Sequence, residues 1–258
     1  GARGAKALER AQAADLMGQL LDGQLNDLEI GAFCVAMRIK GETVEEMCGF
    51  LDAVQARSQL LPATTRPVIV LPSYHGARKL PVLTPLLALL LAREGFAVLL
   101  HGMRTEAQRV LASEVLQRLE VPAWERMQPL AAGQVAHVAT EVLHPGLARL
   151  LAVRQVLGLR TPGHSLVKLL APCAGPAVLV GSYTHPEYSV LMRDVLVARQ
   201  MTGLLSRGLE GEVVCDPRRT PQLDGFVRGA QLELQAQEPG TASDVPGLPQ
   251  DITIEATA

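Results

Sequence analysis

The stretch "PVIVLPSYHGARKLPVLTPLLALLLAREGFAVLLHG", residues 67–102, decides the fold. It reads as a short β-branched run in "PVIVLP", a polar loop in "SYHGARK", an apolar helix in "LTPLLALLLAREG" and a second buried strand in "FAVLLHG". Continuous apolar runs too short for helices are the pattern of parallel strands covered on both faces, so this segment begins a βαβ unit. The loop sits where α/β proteins place ligands, yet it carries Pro72, Tyr74, Arg78 and Lys79 with only Gly76 as glycine.

Upstream of Pro67 the pattern is helical. One helix runs to about Leu21, a second follows Asn26 as N-cap, and a third follows Thr43 with Glu46 three residues later, a capping box. Downstream the alternation continues. The pattern predicts a helix over 105–119, a strand near "VAHVAT", a helix over 144–157 and another over 165–170. It then predicts a strand in "AVLVGSY", a helix in "PEYSVLMRDVLVARQ", a strand in "EGEVVCD" and one further strand in "GFVRGAQLELQAQ", before a Pro/Gly/Ser-containing loop over 238–248. The fold class is α/β: a small helical N-terminal domain, residues 1–62, and a larger α/β domain, residues 63–258, with a mainly parallel sheet. Later helices are expected to cross back to the helical unit. The chain opens inside a helical pattern and closes on "DITIEATA", so terminal elements, including further C-terminal helices, are expected beyond it.

Composition narrows the function. With 258 residues, 48% hydrophobic and 19% charged, the chain can bury a sizeable core, and its longest apolar run falls short of the roughly 20 residues of a membrane span. A cytoplasmic protein without a membrane partner is expected. Cys34, Cys48, Cys173 and Cys215 are scattered without a C-x-x-C pair and read as ordinary thiols, so no zinc site, metal or other cofactor is expected. At 3% aromatic and a net charge of -2, neither base stacking nor a global basic surface is available, and a polyanion would have to meet a local patch.

Cations and imidazoles gather at the expected strand ends. Ser73, Tyr74, His75, Gly76, Arg78 and Lys79 follow the first strand; His101, Arg104 and Thr105 follow the second; Arg149, Arg154, Arg160, His164 and Lys168 come later. Paired guanidinium groups suit phosphate oxygens, while solvated helix-end charges are the plainer reading of each residue alone. Arg78, Lys79, Arg104, Arg160 and Lys168 are the candidate phosphate ligands, with Tyr74, His75, His101 and Arg154 as candidate pocket residues. His101 suits a general base or a structural imidazole, His185-Pro186-Glu187 a helix start, and Asp224-Gly225 a turn.

The order of these units, with "VLLHGMRTEAQRVLASEVLQRL" and "HPGLARLLAVRQVLGLRTPGHSLVKLLAPC", resembles the anthranilate phosphoribosyltransferase family (glycosyltransferase family 3) over nearly the whole chain. The resemblance implies that fold, a dimer formed through the helical domain, and a site where a G-T-G-G-D loop cradles phosphoribosyl pyrophosphate and an Asp-Glu pair holds magnesium. This chain departs from that pattern. "LPSYHGARK" stands at the glycine-rich loop; Leu100 and Met103 replace a lysine and an asparagine beside His101-Gly102, with Arg104 retained; "GLEGEVVCDP" lacks the Asp-Glu pair. Without donors or metal for the departing pyrophosphate, ordinary transfer is not expected. The segments "PSYHGARK" and "SYTHPEY" are similar to a branch of DNA-binding homologues without transferase activity. That likeness implies a homodimer binding nucleic acid, DNA first, independently of sequence; the alternative is a phosphoribosyl or nucleoside transferase with an unfamiliar substrate.

Overall fold

The computed structural model describes residues 4–216, 221–235 and 247–258. Three helices come first: α1 (Arg10–Leu21), α2 (Asp27–Lys40) and α3 (Val44–Arg57). Their starts are fixed by side chains the sequence advertised. Asn26 and Glu29 exchange hydrogen bonds with each other's backbone N–H at the start of α2, and Thr43 and Glu46 do the same for α3.

The sheet follows. Its strands are β1 (Val68–Pro72), β2 (Val98–Gly102), β3 (Ala123–Trp124), β4 (Val135–Ala139), β5 (Ala177–Tyr183), β6 (Gly203–Arg207), β7 (Leu223–Val227) and β8 (Ala230–Gln235), in the order β3-β4-β2-β1-β5-β6-β7-β8. Pairings from β3 to β6 are parallel and the last two antiparallel. The remaining helices are α4 (Thr84–Arg93), α5 (Ala112–Arg118), α6 (Thr140–Leu143), α7 (Pro145–Leu157), α8 (Pro162–Leu166), α9 (Pro186–Ala198) and α10 (Ile254–Thr257).

Alternate residues of β1 enter different cores, which is what a strand covered on both faces must do. Val68 and Val70 pack with the helical unit and with Leu147 and Leu151 of α7; Ile69 and Leu71 pack with Ala88 of α4 and Val115 of α5. α7 and α8 contact α2, and α9 contacts α3, so later helices do return to the N-terminal unit. α7 starts at Pro145, with His144 Nδ1 accepting from the Gly146 N–H at 3.1 Å, and α9 starts at Pro186, as the His185-Pro186-Glu187 reading expected. Among the described residues no helix is long and apolar enough to cross a membrane.

Several sequence expectations need correction. Only Ala112–Arg118 of the stretch 105–119 is helical, because side chains hold 104–110 as a loop: the Thr105 hydroxyl donates to the Tyr74 carbonyl and Arg104 to the carbonyls of Ala107 and Arg109. The helix expected over 165–170 lies earlier, at Pro162–Leu166, and continues as a 3-10 turn. "EGEVVCD" is not a strand; the strand is "GLLSR", and residues 209–211 form a 3-10 turn. "GFVRGAQLELQAQ" contributes to two strands joined by a hairpin, and Asp224 is a buried residue of β7 bonded to Arg193 Nε at 3.0 Å rather than a turn. Most of the loop expected over 238–248 lies outside the described residues.

Candidate functional site

β1 leads by crossover to β2 on one side, while β5 enters on the other, so the sheet has its topological switch between β1 and β5. Loops diverge there at the carboxyl ends of the strands and leave a crevice. A cavity of about 680 Å³ occupies it. Its walls come from the loop after β1 (His75, Arg78), from α8 and the turn after it (His164, Lys168), from the end of β5 (Ser182, Tyr183) and from α2 and α9 (Arg38, Tyr188).

Cations outnumber anions on one side of this cavity. Glu106 alone serves three guanidinium groups: Arg109 at 2.8 Å, Arg154 at 2.7 Å and Arg160 at 3.8 Å. Burial and the neighbouring Arg154 lower the Arg160 pKa. Lys168 is buried and donates to the carbonyls of Ser182 at 3.1 Å and Gly211 at 3.0 Å; burial pulls its pKa to about 8. His75 is buried beside them, with Nε2 2.7 Å from Arg160 Nη1. A guanidinium only donates, so Nε2 accepts and Nδ1 carries the proton, buried without a partner among the described residues. Burial, reinforced by Lys168, Arg160 and Arg109, holds His75 well below the ordinary histidine pKa.

The candidate residues from the sequence separate into groups. Arg78, Arg160, Lys168 and His75 line the cavity, and Lys79 is exposed on the same loop. Arg104 does not: its guanidinium is paired with Glu114 at 2.6 Å and spans a loop of its own. Arg154 lies behind the lining, held by Glu106. Tyr74 and His101 belong to the core rather than the cavity. His101 Nε2 lies 3.0 Å from the Leu170 carbonyl, which only accepts, so Nε2 carries the proton and Nδ1 accepts from the Tyr74 hydroxyl at 2.8 Å. Thr140 Oγ1 completes the chain at 3.0 Å from the Tyr74 oxygen. His101 is fully buried, with both ring nitrogens engaged within the protein. Cys173 is buried, its thiol pushed up to about 12.

Sequence reading missed Arg38, Arg109, Tyr183 and Tyr188. Arg109 was hidden in the stretch read as helix, and Arg38, in the last turn of α2, reaches the wall across 150 residues of sequence to donate to the Tyr188 hydroxyl at 3.0 Å. Among the described residues, no group of three or more His, Cys, Asp or Glu is gathered to hold a metal ion.

Residues 2–58 match the family model described as "Glycosyl transferase family, helical bundle domain". Over 98% of its length the chain is 36% identical to the "Uncharacterized protein YbiB" of Escherichia coli (strain K12), spanning 81% of that protein. It is 30% identical, over 86% of its length, to the anthranilate phosphoribosyltransferase of Moorella thermoacetica, spanning 68% of it. Its fold resembles the crystal structure of anthranilate phosphoribosyltransferase from Thermus thermophilus, with a TM-score of 0.70 at 24% identity, covering 91% of this chain and 73% of that one.

Proposed function

The chain belongs to the anthranilate phosphoribosyltransferase family, and from that premise we propose that it binds nucleic acid, DNA first, through phosphate contacts at the mouth of the switch-point cavity, as a homodimer and without the ordinary transfer reaction. The observation that carries this reading is the excess of guanidinium around Glu106, continued outward by Arg78 and Lys79. A concave surface on which arginine and lysine exceed glutamate suits phosphate oxygens, which carry no sequence information. The low overall charge confines contact to this patch.

The magnesium that the family implies does not fit the residues present. Val213 and Val214 stand where the resemblance expects the Asp-Glu pair, while Glu210 accepts from backbone N–H groups of the loop after β1 and Glu212 from two more of them and from the Ser73 and Thr84 hydroxyls.

Dimerisation is supported by α2, whose Leu28, Val35 and Ile39 are exposed apolar residues. A second reading, a transferase with an unfamiliar small substrate, is favoured by the cavity's size, which falls within the roughly 300–1,000 Å³ typical of ligand pockets. Retention of random-sequence single- and double-stranded DNA at two salt concentrations tests the first reading. Binding that weakens steeply with salt is expected; no retention of DNA or RNA at low salt would overturn it. Turnover of phosphoribosyl pyrophosphate that is lost in Arg160→Ala would favour the second.

A further inference from the structure

The loop after β1 aims its donors at one chemical target. The N–H groups of His75 and Gly76 each lie 2.8 Å from Glu212 Oε1, while the hydroxyls of Ser73 and Thr84 donate to Oε2 at 2.6 Å and 2.7 Å. Beside it the N–H groups of Arg78, Lys79 and Leu80 converge on Glu210 at 2.7 to 3.3 Å. Glu212 is 3% exposed and forms no salt bridge among the described residues, so backbone and hydroxyl dipoles hold this buried carboxylate directly. Convergent amides of this kind make an anion-binding concavity.

The turn that delivers the two carboxylates is shaped for the task. Glu210 adopts φ 51° and Gly211 φ 92°, and a Cβ at Gly211 would come within 2.6 Å of the His75 ring. Gly76, with φ 65°, lets the loop turn its amides inward from the other side.

We propose that this loop is an oxyanion cradle whose occupant is carried on the same chain: Glu212, supported by Glu210, fills it, and the cradle takes a free small oxyanion only when the Glu212 carboxylate is removed. The ligand class is small oxyanions, with inorganic phosphate and propionate as probes. Propionate returns the carboxylate lost in Glu212→Ala, with one carbon more than the CH₂–COO⁻ group removed; phosphate offers the same donors more oxygens. The cradle borders the cavity but is built from backbone N–H groups and hydroxyls rather than from cationic side chains, so this inference stands whether or not nucleic acid binds there.

The test compares the parent, Glu212→Gln and Glu212→Ala by thermal unfolding in chloride, phosphate and propionate at matched ionic strength. Glutamine keeps an oxygen for His75 and Gly76 and presents its NH₂ to the Ser73 and Thr84 hydroxyls, which can accept. The parent and Glu212→Gln are expected to respond alike to the three salts. Glu212→Ala is expected to unfold at lower temperature in chloride and to regain about 5 °C more than the parent in saturating phosphate or propionate. A gain no larger than the parent's in both salts overturns the proposal. Should Glu212→Ala not fold unaided, its refolding yield is the readout: restoration by phosphate or propionate supports the cradle, and a yield unchanged across salts overturns it.

Discussion

His75 accepts a hydrogen bond at Nε2 from Arg160, 2.7 Å away, and this interaction fixes which nitrogen of the buried neutral ring carries the proton. The imidazole must be neutral to accept. Nitrogen-15 spectra of the ring should show the neutral Nδ1–H tautomer persisting well below the pH at which an ordinary histidine protonates. In Arg160→Gln the His75 pKa should rise yet stay below the ordinary value near 6.5, because burial is the larger cause.

Nucleic-acid binding should separate the cations by their existing partners. Arg78→Ala with Lys79→Ala is expected to weaken all sequences alike and to make the log–log salt slope shallower by about two, one for each phosphate no longer neutralised. Arg104→Ala should leave the slope unchanged, because that guanidinium is already bonded to Glu114 and to the carbonyls of Ala107 and Arg109. Filter retention across a salt series measures both.

Acid should unfold the protein through its core imidazoles. Burial lowers the pKa of His101, His137 and His164 to about 4. Between about pH 6.5 and 4 the unfolded chain binds protons that the folded one refuses, so stability falls as pH falls; each histidine contributes up to about 3 kcal/mol of that loss. Urea titrations of His137→Leu should show a shallower acid limb by about one proton.

At alkaline pH the sign reverses for Lys168. Its folded pKa, about 8, lies below the ordinary 10.5, so protonated Lys168 costs stability below pH 8 and the cost fades as pH rises to 10.5. Relative to Lys168→Met, the parent should gain about 2 kcal/mol between pH 7 and 9.5 in denaturant unfolding.

A charge on the outer face of α2 should act on assembly. Val35 is 36% exposed and Ile39 61%, so Val35→Glu need not disturb the protomer. Light scattering should show dimer dissociation at a concentration at least about a hundredfold higher than for the parent, with unchanged circular dichroism. A parent that is monomeric across the micromolar range would end the dimer proposal.

What the sequence disclosed, and what it hid, follows from where each element finds its partners. β1, α4 and β2 were legible because both faces of the strands are buried, and α2 and α3 because Asn26 and Thr43 cap within their own first turns. The hairpin between β7 and β8 was hidden because its turn is Arg228-Gly229, with φ of 50° and 81°, where Asn-Gly or Asp-Gly is the usual signal. Arg104 reads as a phosphate ligand in the sequence because its partner, Glu114, sits ten residues on, beyond the loop that Arg104 spans. The cradle was least legible: glycine-rich composition was the signal sought, whereas the loop bonds to Glu212 across 137 residues at His75.

That separation also orders the making of the molecule. β1, α4 and β2 are complete by Gly102, but Ser73 and Thr84 wait for a carboxylate 139 and 128 residues further along the chain. During synthesis the emerging loop has only water for its donors. Contacts of such long range carry a large loop-closure cost, so they fall late in folding. The arrival of Glu212 therefore marks the end of assembly for this half of the sheet, and a nascent chain released before it would carry a formed strand with an open, hydrated loop.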